Sequence, residues 1–188
     1  MKSGKFASFN HSALKAALAS ALVLGGAGFG ANAYAAAATS TATSTVIAPI
    51  AITAPVVLSF GKFAPGAGGS VTISNSGART GSGVILSSTS STQTAARFDV
   101  TGEGNSTYAI THSGAAVLAG PTVATVVQTM ALAKTSDLTG ANVTTGNVST
   151  GTLNSGAQSV YVGGTLTVGA AQAKGAYTGA VTVTVEYN

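Results

Sequence analysis

The residues that could support catalysis are few in this sequence, and they are scattered. His112 is the only histidine after residue 35, and with Asp99 and one of many serines it could form a Ser-His-Asp triad. A nucleophilic serine of that kind often lies in a G-x-S-x-G turn, and the sequence contains no such turn. We therefore expect His112 to be a solvated side chain beside a turn, and we expect no enzyme.

Asp99 and Glu103 are four residues apart and could share a cation or divide acid and base roles. A divalent cation needs several more oxygen ligands, and zinc sites use cysteine and histidine, which are almost lacking here. The sequence predicts exposed turn carboxylates and no metal. The glycine-rich stretches 66–69 and 163–164 lack the lysine of a phosphate-binding loop, so no cofactor is expected.

The first 35 residues have the composition of a secretory signal peptide. Lys2, Lys5 and Lys15 precede an uncharged run, and residues 31–35 (ANAYA) offer small residues for cleavage. The run is interrupted by glycines and is shorter than the roughly 20 apolar residues of a membrane span. We expect export, with the periplasm as transit compartment, a destination at the cell surface or outside the cell, and no integral membrane segment in the mature chain.

The charge left after residue 35 is small. Five basic and four acidic residues give a net charge of +1, and the basic residues are dispersed along the chain. Because nucleic-acid binding needs clustered lysine and arginine, we exclude nucleic acid as a partner. The chain has no cysteine, so burial and sheet hydrogen bonds must hold the domain together.

The elements that must position these residues are short strands. Alternating segments separated by Gly/Ser/Asn turns predict an all-β fold, a β-sandwich of about seven to nine antiparallel strands. Residues 36–54 are predicted to form a flexible leader and an apolar N-terminal extension, and 55–188 the sandwich domain. Residues 122–133 could form a strand or a short helix, and their Thr and Val content favours a strand. Gly163-Gly164 suggests a bulge in a strand over 158–168.

Two stretches alternate most clearly, one near each end of the sandwich. The N-terminal one predicts strand-like pieces over 46–53 and 56–62, separated near Pro55, and the C-terminal one predicts a strand from Tyr177 onward. Their apolar faces are Val46, Ala48, Ile50 and Ile52 in the first stretch, and Tyr177, Val181, Val183, Val185 and Tyr187 in the second. A terminal strand either pairs within its own sheet or offers an edge to another chain.

The C-terminal stretch resembles the terminal motif of bacterial pilins that assemble by the chaperone–usher route. Gly175 lies fourteen residues from the end, alternating hydrophobic residues follow, and Tyr187 is penultimate. The resemblance implies an immunoglobulin-like sandwich that lacks its last strand, which the N-terminal extension of a neighbouring subunit supplies. It also implies a periplasmic chaperone and an usher as partners.

A larger part of the chain resembles a secreted bacterial family known as a domain of unknown function. The resemblance rests on four segments, namely LSFG (58–61), FDVTG (98–102), VGGTL (162–166) and GAYTG (175–179) with the Tyr-Asn ending. That family is similar to pilins, although this chain lacks the cysteine pair common in better-known pilins.

Two functions are consistent with these patterns. The first is a structural subunit of a surface fibre that binds identical or related subunits by strand exchange. Its acceptor strand would be Gly175, Tyr177, Val181, Val183, Val185 and Tyr187, and its donor extension Val46, Ala48, Ile50 and Ile52. The alternative is a self-complete, monomeric, secreted or outer-surface binding module, whose loops over 136–156 contact a carbohydrate or another partner.

Overall fold

The computed structural model describes residues 35–188, and within them the protein is all-β, with twelve strands in antiparallel sheets and no helix. This confirms the predicted β-sandwich. Residues 35–44 are exposed and carry no regular secondary structure, and the compact unit Thr45–Asn188 contains every strand. The predicted signal peptide, except Ala35, lies outside the described residues. In the described part, no helix is long and apolar enough to cross a membrane.

The strands are β1 (Ala51–Val56), β2 (Phe63–Ala64), β3 (Gly69–Ile73), β4 (Arg79–Ser82), β5 (Ile85–Leu86), β6 (Ala96–Thr101), β7 (Thr107–Gly114), β8 (Val117–Val123), β9 (Val126–Asp137), β10 (Thr150–Thr152), β11 (Ala157–Val168) and β12 (Val181–Tyr187). Their number exceeds the predicted seven to nine because β2, β5 and β10 are only two or three residues long. Residues 122–133 were predicted as a strand rather than a helix, and they are extended, but a turn at Ala124 and Thr125 divides them between the end of β8 and the start of β9.

The largest sheet has seven strands and is organised around β11. One edge of β11 pairs with β6 and then with β3, and the opposite edge pairs with β9. β1 continues this sheet beyond β6, β4 continues it beyond β3, and β8 continues it beyond β9. A second sheet has the order β10-β7-β12, and β2 and β5 form a two-stranded ribbon.

The inward-facing side chains form two hydrophobic clusters. The first cluster consists of Ala96, Phe98, Val100, Tyr108, Ile110, Leu153, Val160, Val162, Val183 and Val185. The second cluster consists of Phe60, Val71, Ile73, Leu118, Met130, Leu132, Leu166 and Val168. Alternate residues of β11 enter the core along its whole length, so this strand contributes to both clusters.

The bulge predicted at Gly163-Gly164 is wrong. β11 pairs with β9 residue by residue from Tyr161 to Leu166, without a register shift. The glycines serve close approach of the neighbouring strands: a Cβ on Gly163 would collide with the carbonyl oxygen of Ile73, and one on Gly164 would lie 2.8 Å from that of Ala133. Two side chains at these positions would push three strands apart.

The predicted strand boundaries at the two ends also differ from the structure. β1 runs through Pro55, with an irregular register between Thr53 and Val56, and proline is tolerated there because β1 is an edge strand. Within the segment predicted as a strand over 56–62, Ser59 forms an isolated β-bridge with Thr94. The C-terminal strand begins at Val181 instead of Tyr177, because residues 172–179 form a separate segment beside the second cluster.

Candidate functional site

His112 is half-buried rather than solvated, and its contacts do not form a catalytic pair. Its Nε2 lies 3.0 Å from Ser136 Oγ and 3.0 Å from the carbonyl oxygen of Val148. A carbonyl only accepts hydrogen bonds, so the contact with Val148 favours the tautomer in which Nε2 carries the proton and donates it. Ser136 Oγ also accepts a 2.9 Å hydrogen bond from the N–H of Val148. The three residues therefore tie β7 and β9 to the loop before β10.

The carboxylates of Asp99 and Glu103 have separate hydrogen-bond partners. Asp99 lies within β6 instead of a turn; it pairs with Arg97 at 3.0 Å and accepts a 2.7 Å hydrogen bond from Ser159 Oγ. Glu103 lies in the following turn and accepts a 3.0 Å hydrogen bond from the N–H of Ala48. Among residues 35–188, no group of three or more His, Cys, Asp or Glu residues could hold a metal ion.

A buried asparagine that the sequence patterns did not single out joins three strands. Asn75 is 1% exposed, and its Oδ1 accepts hydrogen bonds from the N–H of Gly163 at 2.8 Å and from Thr135 Oγ1 at 3.2 Å. Its Nδ2 is buried without a protein partner among the described residues. The side chain links the end of β3 to β11 and β9, so its role is structural.

The predicted acceptor residues divide between two places. Val183 and Val185 are buried in the first cluster. Gly175, Tyr177 and Val181 instead line an open groove of about 730 Å³ at the second cluster. One wall is the segment 172–179, which contains Gly175 and Tyr177, and another wall is the segment 58–65. The floor is apolar and consists of Leu118, Met130, Leu132 and Leu166.

Hydrogen bonds fix the wall formed by residues 58–65. Arg79 Nη1 donates to the carbonyl oxygens of Phe60 at 3.1 Å and Lys62 at 3.3 Å. Ser59 exchanges two backbone hydrogen bonds with Thr94, at 2.9 and 3.0 Å. No sequence pattern predicted this wall, although Arg79, an arginine in a chain with few charges, could have indicated it.

A second set of hydrogen bonds fixes the wall formed by residues 172–179. Tyr177 Oη donates to the carbonyl oxygen of Ala173 at 2.8 Å and accepts from Gln172 Nε2 at 2.7 Å. The backbones of Thr178 and Ala119 exchange two hydrogen bonds of 2.8 Å. Gly120 lies under the Tyr177 ring, where a Cβ would collide with it. Both walls are therefore held in place with the groove open between them.

One edge of β12 is unpaired. β12 pairs with β7 from Val181 opposite Gly114 to Tyr187 opposite Tyr108. In the part of the chain that the structure describes, no strand pairs with the other edge. Because Val181 begins β12 and also lines the groove, the free edge starts at the groove. An unpaired row of backbone N–H and C=O groups is the kind of edge at which a further strand can add.

The predicted donor residues lie along the entry of the chain into the domain. Val46 is 94% exposed and Ala48 is exposed as well. Ile50 and Ile52 are half-buried and pack against the first cluster of their own chain. At the other end of β12, Tyr187 Oη donates a 2.9 Å hydrogen bond to the carbonyl oxygen of Ala48.

The family model described as "Domain of unknown function (DUF4402)" matches residues 50–187. No curated protein and no solved structure matches the chain.

Proposed function

We propose that this chain, which belongs to the DUF4402 family, is a non-enzymatic structural subunit of a bacterial surface fibre that assembles by strand exchange between copies. The observation that carries the proposal is the groove of about 730 Å³, with an apolar floor and with Lys62 and Lys174 in its walls, beside the free edge of β12. An exported chain of this kind would pass through the periplasm, with a chaperone and an usher as its partners in transit.

The groove has the chemistry of a strand acceptor. Its floor consists of side chains of the second cluster that are at most 9% exposed, and the β12 edge, which meets the groove at Val181, offers backbone donors and acceptors over Val181–Tyr187. An inserted strand would gain ladder hydrogen bonds from the edge and burial from the floor, at about 25 cal/mol per Å² of apolar surface. These two contributions favour an extended apolar peptide over a globular ligand.

The donor in this proposal is the row Val46, Ala48, Ile50 and Ile52 of a second copy, which we call the donor row. These alternate residues share one face of an extended strand, so they can enter a groove together. The row carries no charge, and full burial of one isoleucine contributes about 1.5–3 kcal/mol relative to exposure. Because Ile50 and Ile52 are only half-buried in their own chain, they have burial to gain.

Donation requires the row to leave its own domain, and the contacts there are modest. β1 pairs with β6 through Ala51, Ile52 and Thr53 before its register becomes irregular. Ala51, Thr53 and Ala54 are exposed. Exchange would thus replace a short, interrupted ladder by a longer one along β12.

Assembly of the exported full chain tests the proposal. We expect wild-type protein to form fibres visible by electron microscopy, and we expect Val46→Asp to abolish them because a carboxylate would enter the apolar groove. Val46 is 94% exposed, so this substitution leaves the fold intact. Unfolding curves of the two proteins should coincide.

Ile47→Asp is the matched control. Ile47 neighbours Val46 and is 49% exposed, but it points to the opposite face of an extended strand. We expect fibres from Ile47→Asp in at least half the wild-type yield. Normal fibres from Val46→Asp would refute the donor assignment, and absence of fibres from wild-type protein would refute the function.

A second candidate function rests on a different hollow. Around β10, a recess of about 600 Å³ is lined by Thr107, Leu138, Thr150, Gly151, Thr152, Asn154, Gln158 and Asn188. Its uncharged amide and hydroxyl groups suit a neutral polar ligand such as a carbohydrate, which is the binding-module alternative. Monomeric wild-type protein whose binding to a glycan array is lost in Asn154→Ala would favour this function.

A further inference from the structure

Both backbone groups of Ala48 are hydrogen-bonded to side chains that lie far away in the sequence. Its N–H donates to Glu103 Oε2 at 3.0 Å, and its carbonyl oxygen accepts from Tyr187 Oη at 2.9 Å. Ala48 is outside every strand, so no sheet ladder requires these bonds. Two unrelated side chains thus hold one peptide unit in the middle of the donor row.

The hydroxyl group of Tyr187 is held in a fixed position. Tyr187 Oη accepts a 2.6 Å hydrogen bond from the backbone N–H of Glu103 while it donates to Ala48. Its hydroxyl lies against Gly102, where a Cβ would collide with it. The hydroxyl therefore makes two hydrogen bonds at once. Through them, Tyr187 connects Ala48, at the start of the domain, to the turn after β6.

The same contacts compete with donation. A strand that adds to an edge needs its backbone N–H and C=O groups free for the new ladder. While Glu103 and Tyr187 hold Ala48, its backbone groups are occupied, and β1 beyond it stays paired with β6. Both hydrogen bonds lie at exposed positions, where water competes for the same groups, so they can open without unfolding of the clusters.

We propose that Glu103 and Tyr187 are positioning residues that retain the donor row in its own chain and thereby set the rate of strand exchange with a second copy. This inference rests on the proposed function. Opening of the two hydrogen bonds releases Ala48. The donor row then separates from β6, starting at Ala51 and continuing to the irregular register between Thr53 and Val56. Tyr187 thus retains the donor row of its own chain, although it belongs to the acceptor strand.

The test compares the full chain with the double variant Glu103→Ala/Tyr187→Phe. We expect the Ala48 amide to exchange its hydrogen about tenfold faster in the variant, since one hydrogen bond on each side is removed. We also expect fibre growth, followed by light scattering at equal protein concentration, to begin at least fivefold sooner. The matched control is Asp137→Ala/Tyr161→Phe, which likewise removes one carboxylate and one phenolic hydroxyl, at residues that lie outside β12 and the groove and make neither of the two hydrogen bonds to Ala48.

The outcomes separate this inference from the proposed function. Faster exchange and faster fibre growth in the variant, with the control behaving as wild type, supports the retaining role. Faster exchange with wild-type growth kinetics overturns that role and leaves strand exchange standing. If none of the three proteins forms fibres, both strand exchange and the retaining role are overturned. Phe at position 187 preserves the ring, so the single variant Tyr187→Phe repeats the test with minimal change to packing.

Discussion

The two hydrophobic clusters contain similar residues but differ in what covers them. The first cluster is enclosed by both sheets, and Ile50, Ile52, Leu138, Val148, Val181 and Tyr187 pack around it. The second cluster lies under two separate segments, 58–65 and 172–179, with the groove of about 730 Å³ between them. One strand, β11, supplies buried residues to both clusters. The difference therefore arises from the covering segments and not from the hydrophobicity of the core strands.

This difference assigns each cluster a role in our proposal. The first cluster is complete within one chain and can hold the monomer together. The second cluster borders the groove with Leu118, Met130, Leu132 and Leu166, which are at most 9% exposed, so an inserted strand would add a cover to a cluster that is already packed. A fibre subunit needs both properties, because it must fold before it assembles.

The largest expected effect comes from a pair of identical truncations, one in each cluster. Leu153 is fully buried in the first cluster, and Leu153→Ala should lower the free energy of unfolding by about 3–5 kcal/mol because it leaves a closed cavity. Leu132 is also buried but lines the groove, and Leu132→Ala should cost about 2 kcal/mol, since the space that the truncation leaves would be continuous with the groove. Urea unfolding of monomeric protein measures both values. Equal losses would show that the second cluster is as enclosed as the first.

A smaller effect is expected where β11 passes from one cluster to the other. Gly163→Ala would place a Cβ against the carbonyl oxygen of Ile73 and 2.8 Å from Asn75 Oδ1, and this crowding should cost about 1–3 kcal/mol. Gly104→Ala is the control, because the nearest atom to its Cβ is 3.7 Å away. Thermal unfolding should show a clear loss in melting temperature for Gly163→Ala alone. A loss confined to one phase of a two-phase transition would show that the clusters unfold separately.

The smallest expected effect concerns the loop that covers the first cluster. The hydroxyl of Thr139, which donates to the Asp137 carboxylate, and the N–H groups of Ala141 and Thr139 lower the pKa of Asp137. A lowered pKa stabilises the fold above the unfolded value of about 3.9, and this contribution disappears as the pH falls through the folded value.

Asp137→Asn should therefore reduce the unfolding free energy slightly at pH 7 and leave it nearly unchanged at pH 2.5. Unfolding in urea at the two pH values checks this expectation. A variant that loses the same stability at both pH values would contradict the role of the carboxylate charge. Asp137 is largely solvated, so the difference should be well below that of either leucine truncation.

Several parts of the fold could be predicted from local patterns. The period-two alternation predicted the strand that contains Val183 and Val185, and the Thr and Val content predicted the strand conformation of residues 126–133 in β9. Other parts depend on partners distant in the sequence. The sequence predicted a bulge at Gly163, but the position requires glycine because the carbonyl oxygen of Ile73 lies beside it. It also predicted a solvated His112, whereas Ser136 and Val148 contact the ring nitrogen of this residue.

The candidate site shows the same division. The sequence by itself determined that the protein is all-β, that Val181–Tyr187 forms a strand with one apolar face, and that the donor row alternates, because side-chain direction in a strand follows position alone. Only the tertiary structure decided that β12 is an edge strand, that Gly175 and Tyr177 line a groove together with residues 58–65, and that Glu103 and Tyr187 hydrogen-bond to Ala48. These features are contacts between segments up to 139 residues apart, and their geometry depends on how all twelve strands pack together.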